Sequence, residues 1–234
     1  MNTVVITGAN RGLGLEFAKQ YHSDGWKVIA CCRNPDAATV LSELGVSVRA
    51  LDMLDSAAIE DFSNSLGDEP VDLLINNAAI QDRVKIEGFS GIIESDWIDG
   101  FRVNVIGPVL LTKALIPHLS AAKNPVAAII GSQQGCLQTY ETGGIYLYRT
   151  TKAATHAATV LLAMDLKEFN IPFVALRPGH TKTEMGGPDA PYEIDDSVSL
   201  MRKVLANVDM ERSGCFIDRS GALIPWSLNK DLNE

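Results

Sequence analysis

Thr3-Val4-Val5-Ile6-Thr7-Gly8-Ala9-Asn10-Arg11-Gly12-Leu13-Gly14 is the stretch that decides the fold. Val4, Val5 and Ile6 form a short β-branched run, the composition of a buried strand. Glycines follow at 8, 12 and 14, and a helical pattern over 13–23 takes over behind them. A strand that turns through glycines into a helix brings bare backbone up to a pyrophosphate at the positive end of that helix. The spacing is not Gly-x-Gly-x-x-Gly: three residues separate Gly8 from Gly12, and one more precedes Gly14. Gly8, Asn10, Arg11, Gly12, Leu13 and Gly14 are therefore candidates for cofactor contact.

Outward from this turn, short apolar runs alternate with helix-period segments. Strands are expected over 3–7, 27–32, 47–51, 73–76, 127–132, 173–177 and 215–217. Helices are expected over 13–23, 36–44, 56–66, 96–122, 146–169 and 194–206. Repeated βα units with right-handed crossovers give an α/β fold: a doubly wound parallel sheet of about seven strands, with helices on both faces and ligands at the carboxyl ends of the strands. No repeat, linker or low-complexity tract divides the chain, so its 234 residues read as one domain.

Composition narrows the function class. A formal net charge of -9 argues against a broad nucleic-acid surface, though not against one small basic site. Cys31, Cys32, Cys136 and Cys215 lack zinc-like spacing and read as small core residues in a reducing compartment, so no metal is expected. The N-terminal residues read as the first strand rather than a secretory leader, and no apolar run approaches the ~20 residues that span a bilayer. A soluble, cytoplasmic protein without membrane contact is expected.

The end of the second strand should meet the adenosine ribose of a dinucleotide. Cys31-Cys32-Arg33-Asn34-Pro35 offers no carboxylate there to hold a free 2′-hydroxyl. Arg33, helped by Arg11, can instead meet a 2′-phosphate, which selects NADP(H) over NAD(H). Asp52, before Met53, can accept a hydrogen bond from the adenine amino group or serve as a simple turn cap. Asn77 and Ala78, after the fourth strand, are further candidates for cofactor contact, and Asn77 reads mainly as an amide that pins neighbouring backbone.

Tyr148 and Lys152 stand one helical turn apart and share a face. Bringing a phenol from a pKa of about 10 to ~7 takes about 4 kcal/mol of preferential phenolate stabilisation, and a nearby cation in a partly desolvated cleft supplies much of it. Ser132 ends the fifth strand, where its hydroxyl and that of Tyr148 can polarise one carbonyl oxygen. Pro108 lies four residues after Asn104 and has no N–H, so the Asn104 carbonyl is freed and becomes a water-binding relay point. The histidines at 22, 118, 156 and 180 are scattered, and His180 reads as a loop residue rather than a catalyst.

With these residues in view, the chain resembles the short-chain dehydrogenase/reductase family over nearly its whole length. The 7–14 turn, 76–79, Asn104, Ser132, Tyr148 with Lys152, and Pro178-Gly179 with Thr183 occur in the family's order. The stretches 143–149, 183–187 and 221–226 are similar to the branch of C-factor-like proteins and sniffer-type carbonyl reductases. The resemblance implies a single-domain Rossmann fold, with Tyr148 as general acid and Lys152 depressing its pKa and holding the nicotinamide ribose. It implies that Ser132 orients the carbonyl and Asn104 anchors the relay water. Pro178, Gly179, Thr181 and Thr183 would hold the nicotinamide side, and residues 184–199 would be a substrate lid. Ala79 replaces the family's usual glycine, and the interval of sixteen positions from Ser132 to Tyr148 is a few longer than the commonest.

The expected activity is NADPH-dependent reduction of a ketone or aldehyde, with the matching alcohol as the reverse substrate. A cofactor-binding regulatory or signalling protein is the alternative, and a Ser132 hydrolase a distant third. The segments 101–116 and 153–164 are apolar on nearly every side and call for cover on their outer faces. A homodimer or homotetramer through the helices at 96–122 and 146–169 supplies that cover, with the chain's own C-terminal segment as the alternative.

Overall fold

Val4, Val5 and Ile6 are all fully buried in β1 (Thr3–Thr7) because the strand has a core on each face. Val4 and Ile6 join one apolar cluster, and Val5 joins the other. This is the alternation that a two-residue side-chain period imposes on a central strand. The computed structural model of the chain describes residues 1–81 and 92–226.

The other strands are β2 (Lys27–Cys32), β3 (Ser47–Ala50), β4 (Leu73–Asn76), β5 (Val126–Ile130), β6 (Phe173–Arg177), β7 (Phe216–Asp218) and β8 (Leu223–Ile224). Their order is β3-β2-β1-β4-β5-β6-β7-β8. The first seven run parallel, and β8 returns antiparallel to β7. The expected sheet of about seven parallel strands thus gains an eighth that runs the other way. Two residues carry no readable alternation, and a turn with Gly221 at φ 89° brings them back.

Helices α1 (Gly12–Ser23), α2 (Thr39–Glu43) and α8 (Ile194–Leu205) cover one face through Phe17, Leu41, Val198 and Met201. The other face is covered by α3 (Ser56–Ser65), α5 (Gly107–Ala114), α6 (Ile116–Ser120) and α7 (Tyr146–Asp165). Ile59, Phe62, Leu111, Leu119 and Ala163 are their core contacts. The chain order reverses beside β1, between β2 and β4. The crevice at the carboxyl ends of β1 and β4 is where such folds bind ligands.

One long helix over 96–122 does not form. Instead α4 (Glu94–Phe101) runs into a π turn (Arg102–Ile106), followed by α5 and α6. Pro108 deprives the Asn104 carbonyl of its N–H, and the backbone takes the wider spacing, Gly107 N–H bonding to the Arg102 carbonyl. Pro117 interrupts the ladder again at the start of α6. The helix expected over 36–44 is likewise shorter, a 3₁₀ turn at Pro35–Ala37 and then α2.

The apolar segments are buried on their inner faces only. Ile106 in the first and Leu161 and Met164 in the second are 47%, 62% and 66% exposed, so the described residues leave these outer faces to solvent. Among the described residues, no helix is long and apolar enough to cross a membrane, and no cluster of side chains could hold a metal ion.

Candidate active site

The glycine turn closes on itself through Thr7 and Asn77. The Thr7 hydroxyl accepts the backbone N–H groups of Asn77 and Ala78, each at 3.0 Å. The Asn77 amide donates to the Thr7 and Gly8 carbonyls at 2.9 and 3.1 Å. Asn77 is the backbone pin that its position predicts. Gly8 and Gly12 sit at φ 62° and 54°, in the left-handed region that side chains disfavour. Helix α1 starts at Gly12 with no side-chain cap, so its first N–H groups have no side-chain acceptor. Bare backbone around an uncapped helix N-terminus fits a diphosphate. Asn10 is exposed at the rim and Leu13 partly buried behind it.

On the adenosine side, Arg33 is exposed just past β2. Arg11 pairs with Glu184, so the glycine turn and the segment after Thr183 are linked by an exposed ion pair. The Asp52 carboxylate accepts the Leu54 N–H at 3.0 Å, the turn role, which leaves its other oxygen for a ligand. Met53 is buried in the core.

Ser132 and Tyr148 meet at the mouth of β5, with a hydrogen bond between their side chains. The Ser132 oxygen accepts the Gln134 N–H at 3.2 Å, leaving its own proton for the Tyr148 oxygen. Lys152 is 2% exposed and donates to the Ile130 carbonyl at 2.7 Å. Its ammonium lies 5.5 Å from the centre of the Tyr148 ring.

The expected depression of the Tyr148 pKa is not found. Burial pushes the phenol above its ordinary value, and the hydrogen bond from Ser132 is what pulls against it. Burial also lowers Lys152 to about 8. A lysine turned toward a strand carbonyl gives the phenolate less than one aimed at its oxygen.

Asn104 is 1% exposed, with its side chain fully engaged. Its oxygen accepts the Ile80 N–H at 2.8 Å, and its amide donates to the Ile80 carbonyl at 2.8 Å and the Thr151 hydroxyl at 2.9 Å. The carbonyl freed by Pro108 is free of the helix but not of the protein. The Thr155 hydroxyl lies 3.1 Å from it and 2.9 Å from the Thr151 carbonyl, with one proton to share between them. Thr151, Thr155 and Thr159 are fully buried, one turn apart on α7. That polar stripe on an otherwise apolar helix was the sequence signal for a partner such as Asn104, and it went unread.

His156 lies one turn beyond Lys152, its ring 4.5 Å from Phe216 and 4.9 Å from Trp226. Its Nε2 faces the Ser132 N–H at 3.5 Å. Burial, then the Lys152 charge, lowers its pKa to about 4. It is a neutral wall behind the site.

Gly179 turns at φ 78°, and a Cβ there would lie 2.7 Å from the Tyr192 ring. The Thr181 hydroxyl is buried among the Pro178 and Gly179 carbonyls and Ser197, so its side chain is held inside the protein rather than offered to a ligand. Thr183 faces the glycine turn: a Cβ on Gly12 would lie 3.7 Å from its methyl. The lid expected over 184–199 divides at Glu193, because α8 starts at Ile194 with Asp195 and Asp196 favourably placed in its first turn.

Arg149, next to Tyr148, also escaped the sequence reading. A cation in the first turn of a helix opposes the helix dipole, which is itself a signal that it has local acceptors. They are the Thr142 carbonyl at 2.6 Å and those of Gly143 and Gly144 at 3.4 Å. Between these carbonyls and α7 lies Ile145 at φ 53°, a β-branched residue in the left-handed region, a conformation that costs on the order of 1–3 kcal/mol.

The chain matches the family model described as short chain dehydrogenase over residues 2–193. It is 35% identical over 165 residues to the protein named C-signal from Myxococcus xanthus, covering 70% of this chain and 98% of that one. An NADPH-bound carbonyl reductase from chicken fatty liver superposes with a TM-score of 0.89 at 31% identity, over 97% of this chain and 99% of that one. Carbonyl reductase Sniffer of D. melanogaster gives a TM-score of 0.89 at 28% identity, over 97% and 100%.

Proposed function

The chain belongs to the short chain dehydrogenase family and is an NAD(P)-dependent oxidoreductase, and from that premise we propose that it reduces a ketone or aldehyde carbonyl with NADPH. The observation that carries this reading is the hydrogen-bonded pair of Ser132 and Tyr148 hydroxyls beside buried Lys152. Two hydroxyl donors at one strand end suit a carbonyl oxygen that gains negative charge. A nicotinamide held there would supply the hydride. Ser132 would turn its proton from the Tyr148 oxygen to the substrate oxygen, and Tyr148 would give that oxygen its own proton. A phenol above its ordinary pKa is fully protonated at neutral pH, the form a reduction needs. The positive charge of Lys152 favours the phenolate left behind. The second lone pair of the Asn104 carbonyl is left for a water that returns the proton.

For the cofactor, Gly8, Gly12, Gly14 and the start of α1 would take the diphosphate, and Arg33 and Arg11 the 2′-phosphate. Pro178, Gly179 and Thr183 would flank the nicotinamide. The NADPH named with the chicken enzyme supports the choice of nucleotide. The turns from Glu184 to Glu193 would form the mobile part of the substrate lid. The four unpaired cysteines support a reducing, cytoplasmic location.

NADPH oxidation in the presence of small aldehydes and ketones is the direct test. Tyr148→Phe should lower turnover by about 10²–10⁴-fold while NADPH binding persists. Unchanged turnover in that variant would remove Tyr148 as the acid. The likeness to C-signal favours a second reading, a nucleotide-binding signalling protein with incidental turnover. That reading requires NADPH binding without useful reduction of any carbonyl tested.

A further inference from the structure

Residues 133–145 join the two proposed donors, Ser132 and Tyr148, and Cys136 is their one side chain in the hydrophobic core. The segment contains only two short 3₁₀ turns, Gln133–Gly135 and Leu137–Thr139, and most of its residues are exposed. A loop of this kind ordinarily wanders, and the separation of the two hydroxyls would wander with it.

Within it the Thr139 hydroxyl caps the Gln133 and Cys136 carbonyls, while the contacts that tie its two ends together meet at one side chain. The Arg149 Nε donates to the Gln134 side-chain oxygen at 2.9 Å, while Nη1 donates to the Thr142, Gly143 and Gly144 carbonyls. The guanidinium also lies 4.9 Å from the centre of the Tyr140 ring. The Tyr140 hydroxyl is 2.8 Å from the Gln134 carbonyl and 3.3 Å from that of Arg149, with one proton to share between them. Gln134 in turn donates its N–H to the Ser132 oxygen. One guanidinium thus grips both ends of the loop. Through Gln134 it reaches the serine, and through its own backbone it adjoins the tyrosine.

We propose that Arg149 is a positioning residue that fixes the distance and alignment between the Ser132 and Tyr148 hydroxyls by clamping residues 133–145. The proposal rests on the reductase reading for its catalytic consequence, but the clamp itself is independent of any substrate. A planar fork with five N–H groups can serve Gln134 and the carbonyls together; a lysine ammonium on a single stem cannot.

The test uses the full chain with Arg149→Met, Arg149→Lys, Gln134→Ala and the double variant Arg149→Met/Gln134→Ala. Hydrogen–deuterium exchange without substrate should show faster exchange across 133–145 in Arg149→Met, with the central strands unchanged. With benzaldehyde as the probe carbonyl, Arg149→Met should lower kcat about 10–100-fold while the NADPH dissociation constant stays within about two-fold. Arg149→Lys should fall between parent and Arg149→Met. The double variant should be no worse than Arg149→Met alone, because both changes break one link. Loosening the Ser132 bond should also move the Tyr148 ionisation in the pH profile upward, which general destabilisation would not do.

Unchanged loop exchange in Arg149→Met, or additive effects in the double variant, would overturn the clamp. So would a kcat within two-fold of the parent. If Arg149→Met does not fold, Arg149→Lys carries the same comparisons with smaller expected changes. Should benzaldehyde not be reduced by the parent, the reductase reading suffers, and the exchange experiment still decides the clamp.

Discussion

Lys152 is bound to Ile130: its ammonium donates to that carbonyl at 2.7 Å, across the end of β5. Ile130 stands two residues before Ser132, so the lysine is moored to the strand that presents the serine. The mooring fixes the direction of the side chain and leaves its charge almost wholly desolvated.

That desolvation has a measurable sign. The folded lysine titrates near 8 and an unfolded one near 10.5. Between those values the unfolded chain holds a proton the folded chain has released, so stability rises with pH through the window and is lost as pH falls through about 8. Lys152→Met removes this dependence. The variant should be favoured over the parent most at pH about 7, with its advantage shrinking by pH about 10. Urea midpoints for both proteins would check it; a constant difference would mean the lysine is not buried as a base.

His156 predicts the acid side. Its folded pKa of about 4 lies below the ordinary 6.5, so its contribution is present above 6.5 and lost as pH falls toward 4. The parent should lose up to about 3 kcal/mol more than His156→Gln across that interval. Denaturant midpoints at the two ends of the interval measure the difference, and parallel losses would rule it out.

Two glycines in the same turn should respond differently to alanine. A methyl on Gly14 would meet the Gly8 carbonyl oxygen and lie 2.5 Å from Asn77 Nδ2. Neither can retreat, so Gly14→Ala should cost about 1–3 kcal/mol or more and weaken nucleotide binding. At Gly12 the nearest atom is 3.7 Å away, and only the left-handed backbone resists. Gly12→Ala should cost about 1 kcal/mol. Thermal melts rank the two, and equal losses would contradict the close approach at Gly14.

Nucleotide choice should follow Arg33. Arg33→Ala is expected to weaken NADPH about 10–100-fold and leave NADH within about two-fold, since only the 2′-phosphate loses its charge-assisted bonds. Glu184→Gln, which releases Arg11 from its exposed pair, should tighten NADPH by no more than about five-fold. Fluorescence titration with each nucleotide decides both, and equal parent affinities for NADPH and NADH would count against the assignment.

The exposed apolar side chains Ile98 of α4, Ile106 of the π turn, and Leu161 and Met164 of α7 predict assembly. Leu161→Glu with Met164→Lys places charge on two side chains that are 62% and 66% exposed. Neither change touches the core, so the fold should survive while a dimer or tetramer dissociates. Sedimentation of parent and variant tests this; a monomeric parent would end the proposal.

Much of the sheet was legible because β-branched runs, glycine turns and helix periods agree locally. Four of the seven expected strands, β1, β2, β4 and β6, keep their expected limits. Pro108 announced a break in the helix, but the form of the break could not be read: the π turn depends on Gly107 reaching Arg102, and the freed carbonyl on Thr155 approaching from a helix far along the chain. Tyr148 and Lys152 were legible from spacing as a pair. Their ionisation was not, because desolvation is a property of everything packed around them. Arg149 and the pairing of Glu184 with Arg11 were not legible for a related reason, since each is defined by partners that only the folded chain supplies.

The two-residue strand β8 has a consequence for how molecules of this protein can come together. Lying antiparallel at the far edge, it offers a neighbouring chain too few free amide and carbonyl groups to template a continued sheet. Strand-by-strand growth is blunted on that side, and lateral self-association is steered toward side-chain packing between helices.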